Sequence, residues 1–187
     1  MIEVQNICKR FEEDVLQNIS FRLEEGQTAF ITGQSGIGKT TLLHIMMGLM
    51  QADSGNVKGV PAKKSCVFQE DRLLENLSVW ENLKLVSDLP EDVLKAECAA
   101  ILPEDVFYKP VKLLSGGMKR RVAILRAMTA ESDIIFMDEP FKGLDTATKE
   151  SVVTYVKERK AHRTLLIVTH DKEDRDMFGP HKHVHIG

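Results

Sequence analysis

An apolar run, Thr28–Thr32, leads straight into the octet Gly33-Gln34-Ser35-Gly36-Ile37-Gly38-Lys39-Thr40, and Thr41 and the residues after it repeat apolar side chains at helical spacing. The spacing G-x-x-x-x-G-K-[ST], after a strand and opening a helix, has one demanding use. Its glycines let successive backbone N–H groups turn toward one point, and the helix start adds its positive dipole end. That is a cradle for phosphate. Lys39 is placed to reach the β- and γ-phosphates of a nucleotide, and the Thr40 hydroxyl to ligate Mg²⁺. A glycine-rich turn without function is the competing reading. The flanking strand and helix weigh against it, but the loop alone does not separate a small-molecule kinase from a transport ATPase.

Further polar residues are expected at the same edge of the sheet. The run Ile134–Met137 ends in Asp138 and Glu139, and the carboxyl end of a strand is where ligands bind in open α/β sheets. Asp138 suits a Mg²⁺ shell, and Glu139 suits a base that orients and deprotonates an attacking water. His170 ends the strand Thr164–Thr169 and becomes a candidate contact for the γ-phosphate, while Gln69 ends Ser65–Phe68. A solvated Asp-Glu-Pro turn and an ordinary surface histidine are the bland alternatives. Four such groups on one edge make a site.

At 187 residues, 43% hydrophobic and 28% charged, the chain fits one domain or one domain with a subdomain. A formal charge of -3 gives no basic field for nucleic acid, which is not an expected partner. Cys8, Cys66 and Cys98 are widely spaced and read as reduced thiols. The N-terminus lacks the apolar core of a secretory leader. Leu42–Met50, interrupted by His44, falls far short of the roughly 20 apolar residues that cross a bilayer.

Strands are expected at 2–7, 18–24, 28–33, 65–69, 133–137 and 164–170, with a turn at 24–26. Helical patterning runs from about Ser78 to Leu102, its first helix capped by Asn76 or Ser78, again from Ser115 toward Ala130, and over about 146–160. Strands alternating with helices predict an α/β fold with a mainly parallel sheet covered on both faces. The helix-rich stretch from about 72 to 130 is expected to form a smaller lobe beside a core of 1–71 and 131–187.

One further string decides between nucleotide enzymes. Leu114-Ser115-Gly116-Gly117-Met118-Lys119-Arg120-Arg121 resembles the signature motif of the ATP-binding cassette (ABC) family. A capped helix with an exposed basic face explains Ser115 and the cations, but not two glycines in a first turn. The resemblance covers nearly the whole chain in the family's order: Phe11, residues 33–40, Gln69, residues 114–118, Ile134–Pro140, Asp145 in the turn 143–145, and His170. It implies a P-loop NTPase with antiparallel N-terminal strands, a parallel core and a helical subdomain, in a single ATPase domain spanning 1–187. It further implies that ATP and Mg²⁺ bind, with Phe11 stacked on adenine, that Asp145 joins the nucleotide site, and that Gln69 and Asp138 join Thr40 at the metal. In that family Ser115, Gly116 and Gly117 face the γ-phosphate of a second ATPase subunit, identical or not. An integral membrane permease is the implied partner, with a solute-binding protein as a further candidate, and the implied location is the cytoplasmic face of the membrane.

Residues 68–83 and 139–145 look like importers of the nitrate, sulfonate and taurine type. Met118 departs from the commoner glutamine, and the few residues after His170 leave no room for a regulatory C-terminal domain. The alternating His181, His183 and His185 would share one face of a strand, in the manner of a three-histidine zinc site or, in the plainer reading, a solvated terminal strand. A non-transport ABC ATPase and a small P-loop kinase are the rival functions.

Overall fold

The computed structural model describes residues 1–187. Five parallel strands form the central sheet in the order β5-β6-β7-β3-β8: β3 (Thr28–Thr32), β5 (Lys64–Val67), β6 (Ile134–Asp138), β7 (Thr164–Val168) and β8 (Lys182–His185). An antiparallel sheet of β1 (Ile2–Arg10), β2 (Asp14–Leu23) and β4 (Ser54–Lys58) lies in the order β2-β1-β4. The helices are α1 (Lys39–Met47), α2 (Val79–Lys84), α3 (Glu91–Ile101), α4 (Gly116–Thr129), α5 (Thr146–Arg159) and α6 (Lys172–Asp176).

The continuous apolar runs are explained by what covers them. All five residues of β6 and of β7 are buried. Alternate side chains serve two separate cores. Ile31, Ile134, Phe136, Leu166 and Val168 pack with α1 and the inner residues of β1 and β2. Phe30, Ile135, Met137, Leu165 and Ile167 pack on the other side with residues of α2 to α5. With both faces covered, the strands are free to present chemistry only at their ends.

Several elements differ from the sequence reading. The helical stretch from Ser78 to Leu102 resolves into α2 and α3, with Pro90 the residue that precedes α3. Ser78, not Asn76, is the cap: its hydroxyl accepts from the Glu81 N–H while Glu81 reaches back to the Ser78 N–H. The strands expected at 65–69 and 164–170 end at Val67 and Val168, which releases Gln69 and His170 into loops. Strand β4 and helix α6 had no pattern to announce them.

The segment after β5 is pinned by a side chain. Asn82, 1% exposed, accepts from the Leu74 N–H at 2.9 Å and donates to the carbonyls of Leu74 and Ser78 at 3.0 and 2.9 Å. Replacing it with alanine strands buried backbone groups, so Asn82→Ala should cost about 3 kcal/mol, and Glu81→Ala at the exposed cap should cost clearly less. Differential scanning calorimetry should show the first as a fall in Tm of roughly 6–12 °C. Equal, small shifts for the two would mean that Asn82 does not hold the segment.

Candidate functional site

The phosphate loop is held open from behind. Gly38, at φ 100°, is the N-cap of α1 and offers no side chain to its first N–H groups, which are left to face a ligand. A Cβ there would lie 2.6 Å from Val15 Cγ1, so β2 packs directly against the loop, and one at Gly33 would lie 2.4 Å from the Ile186 carbonyl oxygen. Lys39 is buried, and its ammonium donates to the carbonyls of Gly33 and Gln34 at 2.9 and 2.8 Å. A cation bound only by its own loop's carbonyls is ready to exchange them for phosphate oxygens.

Thr40 and Asp138 meet although 98 residues separate them. The Thr40 hydroxyl donates to Asp138 Oδ2 at 2.6 Å. Burial pushes the Asp138 carboxyl above the usual carboxylate range, and its Oδ1 is buried with no hydrogen-bond partner. A buried, half-satisfied carboxylate is costly unless a cation completes it. With the Thr40 hydroxyl and the nearby Gln69 amide, the donors are all oxygens, the set a hard divalent cation prefers. The residues present therefore fit Mg²⁺.

Glu139 follows at φ 48°, a left-handed conformation that costs a non-glycine residue roughly 1–3 kcal/mol. Its N–H donates to the Val168 carbonyl at 2.9 Å, and its Oε1 lies 2.7 Å from His170 Nδ1. The backbone is thus twisted to turn the carboxylate off the strand axis, where His170 holds it. His170 is itself positioned by neighbours. Thr169 donates to Asp174 at 2.8 Å and accepts from the Asp171 N–H, and Lys149 on α5 pairs with both Asp171 and Asp174 at 2.9 Å. The hydrogen bond from Lys149 holds the Asp171 carboxyl below its ordinary value.

Ser35, Gly36, Gly38, Lys39, Thr40, Thr41, Gln69, Asp138, Glu139 and His170 line one cavity of about 290 Å³. Gly33, Gln34 and Ser35 border an adjoining polar cavity with Thr32, Arg175, His183 and His185. The C-terminal histidines are engaged with protein groups: on β8, His183 Nε2 and His185 Nδ1 lie 2.6 and 3.2 Å from Thr32 Oγ1, and His181, just before the strand, packs edge-on against Phe30. No group of three or more histidine, cysteine, aspartate or glutamate side chains converges to hold a metal ion.

Other expected residues stand apart from the phosphate cavity. Phe11 is 56% exposed at the β1–β2 turn. Ile37 lies within the loop beside Gly33. Ser115 caps α4 by accepting from the Met118 N–H at 3.3 Å, and both it and Gly116 are exposed; Gly117 lies near Leu144. Asp145 caps α5 through the Thr148 N–H at 3.0 Å. Two residues that line or border the cavity were not anticipated. Lys142 lines it from the turn after Glu139, three positions further along the chain. Arg120, given no role in the sequence reading, is 8% exposed and points inward to the Gln69 segment.

Comparison with known proteins agrees with this geometry. The ABC transporter family model matches residues 16–142. A taurine import ATP-binding protein from Roseobacter denitrificans is 32% identical over 200 residues, covering 95% of this chain and 75% of the relative. An aliphatic sulfonates import ATP-binding protein from Pseudomonas syringae pv. tomato is 38% identical over 173 residues, covering 86% and 71%. Among solved structures, a dimeric ATP-binding cassette in a post-hydrolysis state bound to ADP and Pi superposes with a TM-score of 0.81 at 27% identity, covering 95% of this chain and 91% of the other. Matched by the family model over most of its length and by relatives over nearly all of it, the chain belongs to the ABC transporter family and is one of its ATP-binding, ATP-hydrolysing cassettes.

Proposed function

We propose that this cassette hydrolyses ATP as one of a pair of ATPase subunits to drive a separate membrane permease that imports a small solute. The import ATP-binding proteins it matches support the direction, with taurine and aliphatic sulfonates as the cargo class to test first. No helix of the chain is long and apolar enough to cross a membrane, so membrane attachment is assigned to the permease, on its cytoplasmic side, with a solute-binding protein delivering cargo to the other.

One observation carries the catalytic assignment: a buried carboxylate with a free oxygen, Asp138, sits beside a twisted glutamate held by His170, both opening on the phosphate loop. The loop N–H groups and Lys39 bind the β- and γ-phosphates. Thr40, Asp138 and Gln69 would hold Mg²⁺, which when bound neutralises charge on the phosphate oxygens. Glu139 accepts a proton from the attacking water, whose oxygen bonds to the γ-phosphorus as the bond to the bridging oxygen of ADP breaks. His170 keeps the Glu139 carboxylate aimed and faces the γ-phosphate. Phe11, exposed on the β1–β2 turn, is available to stack on adenine.

Ser115, Gly116 and Gly117 do not line their own chain's phosphate cavity. An exposed helix start with two glycines in its first turn fits an anion brought by another molecule. The assigned anion is the γ-phosphate held by the second subunit, with Asp145 at the same interface.

Two outcomes follow. Glu139→Gln keeps shape and hydrogen bonding but loses the base, so turnover should fall about 10²–10⁴-fold while ATP affinity by calorimetry stays within a few-fold. Near wild-type turnover would remove Glu139 from the chemistry. Second, Ser115→Arg and Lys39→Ala chains, each inactive alone, should regain part of the activity when mixed, because one of the two sites in a mixed dimer is intact. A mixture that forms dimers yet stays inactive would mean that the signature motif does not complete a partner's site.

A further inference from the structure

Gln69 has an exposed side chain that lines the phosphate cavity, and no hydrogen bond of its own amide holds it there. What is held is its backbone. Arg120, on α4, donates from Nη1 to the Phe68 carbonyl at 2.7 Å and from Nη2 to the Gln69 carbonyl at 2.5 Å, and the same guanidinium lies 3.3 Å from Asp71 Oδ1. Six positions further along α4, Arg126 donates to the Arg72 carbonyl at 2.8 Å and to the Asp71 carbonyl at 3.3 Å. Two forked cations from one helix therefore occupy four of the five carbonyls from Phe68 to Arg72.

The segment has little else to fix it. It belongs to no strand or helix, and Arg72 sits at φ 46° with its guanidinium 3.8 Å over the Phe68 ring. Guanidinium forks lock direction as well as distance, because both N–H groups must find acceptors in one plane. The helix that supplies them begins at Ser115, so a displacement of the signature end is carried along a hydrogen-bonded rod to the carbonyl of Gln69.

We propose that Arg120 is the positioning residue for Gln69: it presents the Gln69 amide to the phosphate cavity, and with Arg126 it makes the signature helix and the Gln69 segment move as one body. The inference rests on the proposed role of Gln69 at the γ-phosphate and Mg²⁺. Arg120 does not line the phosphate cavity itself and acts through that residue.

A double-mutant cycle on full-length chains tests this and separates it from a merely structural role. Gln69→Ala, Arg120→Leu and the double variant are compared for kcat, KM and equilibrium ATP affinity with Mg²⁺. The prediction is that Arg120→Leu lowers kcat about tenfold with ATP affinity within about twofold, and that the double variant is no slower than Gln69→Ala alone. Arg120→Lys, which keeps the cation but not the fork, should recover part of the loss; if Arg120→Leu does not fold, Arg120→Lys takes its place in the cycle. Additive losses would show that Arg120 acts by general stability and would overturn the proposal. An unchanged kcat for Arg120→Leu beside a slow Gln69→Ala would overturn it too, leaving the role of Gln69 intact. An unchanged kcat for Gln69→Ala would instead sink the underlying reading of the site.

Discussion

The hydrogen bond from Thr40 to Asp138 is the contact on which the site depends. It joins the first turn of α1 to the end of β6 across the intervening β7, and so fixes the phosphate loop relative to the strand that leads into Glu139. The arrangement is costly in the empty protein. Asp138 is 2% exposed, has one oxygen unpartnered, and is pushed toward its neutral form by burial. A protein keeps such a group where a ligand repays the desolvation, and strained or half-satisfied groups gather at functional sites for that reason.

Rigidity elsewhere makes that cost tolerable. Both faces of β6 and β7 are sealed by apolar packing, so the strand ends cannot drift. Behind the phosphate loop, Val15 and Ile186 leave no space for a side chain at Gly38 or Gly33. Below His170, Lys149 ties α5 to α6 through two carboxylates. The signature residues stand outside this frame, at the exposed start of α4, and are linked to it through Arg120 and Arg126. The division is physical: the strand ends and the phosphate loop are packed into one frame, and the exposed start of α4 is tied to it through guanidinium forks.

Most of the placement of polar residues at the strand edge was legible because its signals are local. A phosphate loop needs glycines and a lysine at fixed spacing, and the apolar run Ile134–Met137 announces a buried strand whose end must be functional or solvated. Illegible features depended on tertiary choice. Strand β4, Ser-Gly-Asn-Val-Lys, is mostly exposed and turns through Gly55 at φ 83°, so it shows no alternation. Helix α6 is five largely polar residues. Which member of Lys119, Arg120 and Arg121 turns inward is set by the rotation of α4 against carbonyls some 50 residues earlier. No sequence period encodes that.

The most direct measurement is thermal stability of Asp138→Asn with and without Mg²⁺ and ATP. A carboxyl whose pKa is raised on folding stabilises the fold below its unfolded pKa and loses that contribution as pH rises through the folded value, so at neutral pH the bare carboxylate is a net cost. The variant without ligand should therefore melt above the wild type at pH 7, with the gap closing in acid. Saturating Mg²⁺ and ATP, at about 100 times Kd, should stabilise the wild type by about 2.7 kcal/mol, or roughly 5–10 °C, and the variant should lose the Mg²⁺-dependent part of that gain. A variant that melts lower when empty, or keeps the full Mg²⁺-dependent increment, would contradict the view that Asp138 is held in reserve for the metal.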